Sequence, residues 1–396
     1  MLDHQQGRSV PPLAGASGRR GSAAAVPEGA ALGNNVKSVD HSDAHQRNLS
    51  RFASKWAAAN LLKGQDDALS KRLSHCGYVA RQFEVALERS GDTGRAGFDG
   101  LKTCASVWCC PCCSPRISAR RKDELDRLLS GARAAGHAVL MLTLTARHDR
   151  SMRLGPFLDA LKRAKQRLRQ RREWRALPLV GSVTATEVTH GGNGWHPHFH
   201  EILLLDCSPS DALARVEGLR AAWLASLASV GLSGAKAAFQ VQSAQAVGAY
   251  VAKFGGAEEV ALHGQKRGRN GSRGPWQLLD DARDGDAPAA AAWIEYALAF
   301  RGRRQLVWSP GLKARFGVDD VPDDEAAGEV EPEPAPVERL RTWAGAGPRW
   351  KQARRRRVAL VHAAEARQCL DAAEYGPTDA LRWQLGGGDA LLEPPD

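Results

Sequence analysis

Residues 179–206 read LVGSVTATEVTHGGNGWHPHFHEILLLD. Two strand-like runs, Leu179–Thr189 and Trp195–Asp206, flank Gly191-Gly192-Asn193-Gly194, whose residues tolerate the positive φ of a tight reversal. The stretch therefore reads as a hairpin. Centred in that turn, it pairs residues whose numbers sum to about 385, which sets Glu187 opposite His198. Alternate side chains on a strand share a face, so His198 and His200 point one way and Phe199 points into the other layer. Two imidazoles one strand step apart, with a carboxylate across from them, suit Mn²⁺ or Mg²⁺ in a Lewis-acid role better than a closed structural site. His196 shares the face by parity but lies nearest the turn.

Working outward, Ala138–Thr145 is a leucine-rich strand and Ala238–Ser243 a further one. Pro156–Arg175, Pro209–Val230 and Ala246–Phe254 carry helix-forming runs. Strands joined partly by hairpins and partly by helices predict an α+β fold, an antiparallel sheet with helices on one face. Residues 1–50 are rich in Gly, Ala, Ser and Pro and read as a disordered tail. Residues 318–337 are acidic and proline-containing, the composition of a linker, and residues 338–396 read as a basic helical and flexible tail. Between them the expected units are a small cysteine-bearing, zinc-binding subdomain over 51–135 and a main domain over 136–317.

The 396 residues carry 55 Lys+Arg against 44 Asp+Glu, a net charge of +11. Such a surplus draws polyanions, nucleic acid first among them. Leu161–Arg175 alone holds eight basic residues and one acid. Lys162, Arg163, Lys165, Arg167, Arg169, Arg171 and Arg172 there, with Arg120 and Arg121 earlier, are candidate phosphate contacts, and His196 is a further DNA-contact candidate. Trp108 and Trp195 have the chemistry to stack on unpaired bases or to fill a core. No apolar run approaches the roughly 18–20 residues that span a bilayer, so no membrane partner is expected. A polar amino terminus without a secretory apolar segment predicts a cytoplasmic protein.

Reduced surroundings turn eight cysteines toward metal binding rather than disulfides. Cys104, Cys109, Cys110, Cys112 and Cys113 crowd together, with Cys76 upstream, and four thiolates can close a tetrahedral structural zinc site. Two CxxC registers are open, Cys109/Cys112 and Cys110/Cys113. Among the four tyrosines, Tyr250 alone has a lysine three residues on. On a helix that spacing sets the phenol and the Lys253 ammonium about 5–6 Å apart at Cβ, as a nucleophile of phosphorus with a neighbouring cation would require.

Together these segments resemble the plasmid rolling-circle replication initiators of the HUH endonuclease superfamily. Leu142-Thr143-Leu144-Thr145, Gly194-Trp195-His196-Pro197-His198-Phe199-His200 and Tyr250-Val251-Ala252-Lys253 stand in that family's order. Cys104–Pro111 and Gly302–Leu312 are similar to its actinobacterial-type branch. The resemblance covers residues 74–317 and implies a ferredoxin/RRM-like nicking domain. It also implies that His198, His200 and Glu187 hold the divalent cation while Tyr250 takes the 5′ phosphate and Lys253 assists. The resemblance selects Cys110 and Cys113, completed by Cys104 and Cys76, as the Zn²⁺ ligands. Implied partners are plasmid origin DNA, duplex and single-stranded, with a host helicase and polymerase. This chain departs from some relatives in having Phe254, where they place a tyrosine, so Tyr250 is the nucleophile the resemblance leaves; Glu258 or Glu259 is the candidate for activating water at termination. The alternative readings are a HUH transposase or relaxase, or a non-catalytic zinc-dependent DNA-binding regulator. No second tyrosine lies near Tyr250, unlike in many such transposases, and relaxases usually place theirs before the histidines.

Overall fold

Ala138-Val139-Leu140-Met141-Leu142-Thr143-Leu144 is apolar on almost every residue, and a strand without a polar face must be covered on both sides. In the computed structural model, which describes residues 41–81, 83–253, 271–328, 337–365 and 370, this run is β3, and both sides are covered. Earlier in the chain come helices α1 (His41–Leu62) and α2 (Asp67–His75), strands β1 (Glu84–Ser90) and β2 (Ala96–Asp99), and helix α3 (Cys113–Ala134). After β3 follow α4 (Leu154–Gln170), the short α5 (Arg172–Arg175), β4 (Leu179–Gly191), β5 (Gly194–Leu205), α6 (Pro209–Glu217), α7 (Arg220–Ala228), β6 (Phe239–Gln242) and α8 (Ala244–Lys253).

With β7 (Leu306–Trp308), these strands form one antiparallel sheet in the order β6-β3-β5-β4-β7. Leu140, Leu142 and Leu144 of β3 pack with Phe199 and Leu203 against Phe157, Leu161 and Leu168 of α4 and Trp223 of α7. Val139 and Met141 turn the other way with Ile202 and Leu204, meeting Leu125, Leu128 and Leu129 of α3 and Val247 and Val251 of α8. The expectation of helices on one face is thus corrected to helices on both. Alternation on β3 and β5 divides apolar residues between the two faces, so neither face can be left to water.

The expected subdivisions also change. The expected tail over 1–50 gives way to helix at His41, and residues 1–40 lie outside the described residues. The cysteine segment does not stand apart. Cys76, Cys104, Cys110 and Cys113 share a core with Leu154, Trp195 and two helices, α9 (Pro275–Arg283) and α10 (Ala287–Phe300), through Leu278, Trp293 and Phe300. The described chain from His41 onward is one compact unit. Within the expected acidic linker, Val318, Val321, Ala326 and Ala327 are buried, and Arg121 clamps the segment through Asp323 at 2.6 Å and the Val321 carbonyl at 2.8 Å. The expected tail from 338 begins instead as β8 (Val337–Ala344), which pairs with β1 in a second sheet of order β2-β1-β8. Val85 and Leu87 of β1 pack there with Trp343, Trp350 and Leu360. Pro209–Val230, expected as one helix, is two, α6 and α7, separated at Gly218-Leu219. No described helix is long and apolar enough to cross a membrane.

Candidate active site and metal centres

The hairpin pairs as its turn dictates: Gly191 with Gly194, His190 with Trp195, and Glu187 with His198. Gly194 is needed there, since its φ is +82° and a Cβ would come within 2.9 Å of the Asp149 carbonyl oxygen. The register puts Val183, Ala185 and Glu187 of β4 on the face that carries His198 and His200 of β5 and meets α8. On that face Glu187 Oε2 lies 3.3 Å from His198 Nε2 and 3.4 Å from His200 Nε2. These three residues form one of two described clusters with metal-ligand geometry.

Each imidazole is oriented by its other nitrogen. Thr143 Oγ1, across the β3–β5 ladder, lies 3.0 Å from His200 Nδ1, and the His196 carbonyl oxygen lies 3.3 Å from His198 Nδ1. Both Nε2 atoms are thereby aimed at the carboxylate, the arrangement by which outer partners fix metal-binding histidines. Tyr250 comes from α8, and its hydroxyl donates to Glu187 Oε1 at 2.8 Å; its ring lies 4.8 Å from that of His200. The two carboxylate oxygens are thus divided: Oε2 faces the imidazoles and Oε1 the phenol. Burial works against ionising Glu187, but hydrogen bonds and charge from His198 and His200 outweigh it and hold the carboxyl well below its usual range. Burial, then the Glu187 charge, pushes the Tyr250 phenol up. Among donor sets, two imidazoles and one carboxylate with an open side fit divalent ions that accept mixed nitrogen and oxygen ligands.

The open side is a groove of about 530 Å³ lined by His148, His196, His198, His200, Gln240 and Gln242. His196 is outside the cluster and sits 3.3 Å from His148, Nδ1 to Nδ1; burial, with the charges of His198 and His148, lowers it to about 4. Lys253 ends α8, but its side chain is outside the described residues, as are Phe254, Glu258 and Glu259. The motif reading does not single out His148, and it places Thr143 in the first strand motif without a role at the site. The role of Thr143 becomes visible only once β3 is registered against β5.

The second cluster joins Cys76, Cys104, Cys110 and Cys113, all buried. Cys76 Sγ is 3.4 Å from Cys113 and 3.7 Å from Cys110, and Cys104 is 3.7 Å from Cys113. A tetrahedron of thiolates around zinc has edges of about 3.8 Å, so the donor set fits that ion. The Cys113 backbone N–H points at Cys110 Sγ, 3.4 Å away, and Gly77 after Cys76 has φ +62°. Cys109 and Cys112 stay out of the cluster, and burial pushes the Cys109 thiol up to about 12.

The candidate phosphate contacts divide. Lys165 is buried, its ammonium 2.7 Å from Thr184 Oγ1 and 3.9 Å from the fully buried Glu201, which Arg169 also pairs. Burial lowers Lys165 to about 8. Both cations neutralise a carboxylate beneath the sheet; Lys165 is thereby taken from the surface, while Arg169 stays half-buried. Arg121 likewise serves the clamp on Asp323, beside Glu124. Arg171 reaches Ser226 at 3.0 Å, tying α4 to α7. Lys162, Arg163, Arg167 and Arg172 are exposed and Arg120 half-buried. Those of α4 lie across the sheet from the His198–His200 face, because α4 packs on the opposite side. Trp195 is buried, and Trp108 packs on Phe300 and donates to the Arg303 carbonyl at 2.7 Å, so both serve packing.

Residues 99–209 match a family model described as "Replication protein". A protein of Streptomyces lividans named "Protein rep" is 27% identical, the match covering 56% of this chain and 65% of that protein. A Streptomyces cyanogenus protein named "Neomycin resistance protein" is 31% identical over 27% of this chain and 31% of its own length. The chain therefore spans less than two thirds of either relative. No solved structure matches it. The resemblance to replication proteins read from the motifs is borne out at the level of the family.

Proposed function

Because this chain is related to replication proteins, we propose that it starts replication of a plasmid by nicking one DNA strand at the origin through a phosphotyrosine, leaving a primer for rolling-circle synthesis. The observation that carries this reading is the Tyr250 hydroxyl 2.8 Å from Glu187 Oε1, with His198 and His200 closing on Oε2. A Mn²⁺ or Mg²⁺ ion held by Glu187, His198 and His200 would polarise the scissile phosphate. Tyr250 Oη attacks phosphorus; the new O–P bond forms as the P–O3′ bond breaks. The phenol already has a proton acceptor in Oε1, the carboxylate oxygen away from the imidazoles. The departing 3′ oxygen takes a proton from solvent and becomes the hydroxyl a host polymerase extends. Burial and the Glu187 charge push the Tyr250 phenol well above its ordinary range, so attack requires proton transfer to be coupled to phosphate binding. Lys253, three residues on, is assigned the phosphate on its spacing. Exposed Lys162, Arg163, Arg167 and Arg172 would hold duplex flanks non-specifically, and a host helicase would open them. Cys76, Cys104, Cys110 and Cys113 are assigned a structural Zn²⁺.

The test is to incubate the chain with Mn²⁺ and short single strands from the intergenic region beside its gene, then resolve covalent protein–DNA adducts under denaturing conditions. An adduct on one strand, absent from Tyr250→Phe and His198→Ala, is expected. An adduct that survives Tyr250→Phe moves the nucleophile elsewhere. No adduct on any strand, together with zinc-dependent duplex binding, replaces this reading with that of a regulator.

A further inference from the structure

Two cations are buried beside the cysteine cluster, and among the described residues no carboxylate pairs with either. Lys55 of α1 is fully buried, and its ammonium donates to the Cys76 carbonyl oxygen at 2.7 Å over the Trp56 ring. Arg357 is 2% exposed and lies 4.1 Å from the Phe52 ring centre and 5.1 Å from that of Tyr78. Its Nη1 donates to the Arg354 carbonyl, while Nε and Nη2 are buried with no hydrogen-bond partner. The acidic groups that act most on the pair are thiols and one phenol: Cys112, which lies outside the four-cysteine cluster, with the cluster's Cys76 and Cys110 for Lys55, and Cys112, Tyr78 and Cys76 for Arg357. Buried charges are costly unless an opposite charge stands near. Four neutral thiols offer none. Four thiolates around one divalent ion carry about two net negative charges, which two cations balance.

We propose that Lys55 and Arg357 are the counter-ions of a metal–tetrathiolate centre, so that the ion held by Cys76, Cys104, Cys110 and Cys113 also fastens the carboxy-terminal segment Val337–Glu365 to α1. This rests on reading the cysteine cluster as a metal centre and is independent of the chemistry at Tyr250. The geometry explains the direction of the coupling. Arg357 opens the helix Arg357–Glu365 that follows β8, and this helix packs on α1 and on β1 and β2. Loss of the ion returns the cysteines to neutral thiols and leaves two cations facing each other in the core. Arg357 belongs to the segment joined latest in the chain, and its departure relieves the repulsion. Cation–π contact with Phe52, Trp56 and Tyr78 is the competing account, in which the rings alone hold both cations and the ion is irrelevant to them.

The test uses the full chain loaded with zinc. Bound zinc, its release to a coloured chelator and tryptic cleavage within residues 354–357 are followed for wild type, Lys55→Met, Arg357→Met and Arg357→Lys. Expected is about 10- to 100-fold faster zinc release in either methionine variant, the size of effect that outer partners of a metal site have, and recovery in Arg357→Lys. Zinc withdrawal from wild type should expose residues 354–357 to trypsin before the sheet domain is cut. Wild-type retention of zinc in both methionine variants, or a segment equally protected with and without zinc, overturns the inference. A wild-type chain that binds no zinc overturns it together with the metal reading of the cysteines, while the adduct assay at Tyr250 is unaffected. Should a methionine variant fail to fold, the wild-type proteolysis and Arg357→Lys release decide the matter.

Discussion

Glu201 lies fully buried in the middle strand of the main sheet, held by Arg169 and with the Lys165 ammonium 3.9 Å away. Removing one partner of a buried ion group leaves the others uncompensated, so Glu201→Gln should cost about 3–5 kcal/mol in urea unfolding at neutral pH. Burial alone would raise this carboxyl, but Lys165 and Arg169 hold it below its usual range. Its stabilising contribution is therefore complete above the unfolded value of about 4.3 and is lost as pH falls from there through the folded value. The wild-type urea midpoint should drop across that acid window, and in Glu201→Gln the drop should be smaller. At the metal face, Thr143 fixes the His200 ring through Nδ1. Thr143→Val keeps the shape and loses that contact; Mn²⁺ affinity measured calorimetrically should fall about 10- to 100-fold, with the fold unchanged by circular dichroism.

At the scale of elements, the β4–β5 hairpin is what converts spacing into a site. A one-residue slip would turn Glu187 to the opposite face from His198 and His200. Gly194 guards that register, since a side chain there meets both a positive φ and the Asp149 carbonyl. Gly194→Ala should cost about 1–3 kcal/mol, read as a lower thermal midpoint. Helix α8 adds the third part. Val247 and Val251 anchor it against the sheet, and Tyr250, one residue before Val251, reaches the carboxylate. The basic helix α4 behaves differently from its sequence: two of its cations serve Glu201 inside, and its exposed ones face away from the histidines.

For the molecule as a whole, the two ends of the described chain are interdependent. β8 completes the sheet begun by β1 about 250 residues earlier, and Trp343 and Trp350 cover Val85 and Leu87. Truncation after Gly328 removes that cover together with Arg357. The truncated chain should show a lower unfolding midpoint and reduced solubility, checked by denaturant titration and sedimentation. If it unfolds like the full chain, the small sheet contributes nothing to the main fold.

The hairpin, its register and the pairing of Glu187 with His198 were legible from the residues alone, because a glycine-rich turn and a period of two leave one arrangement. The CxxC spacing left two registers open, and it was the family resemblance that picked out Cys110 and Cys113, the pair that gathers with Cys76 and Cys104. Which face each helix covers, which basic residues turn inward, and the return of the segment from residue 337 as a strand beside β1 were not legible from the residues alone and emerge from long-range packing. Those outcomes depend on contacts between residues far apart in sequence. A lysine on a helix reads the same whether it meets water or a buried glutamate, and a strand gives no local sign of its distant partner.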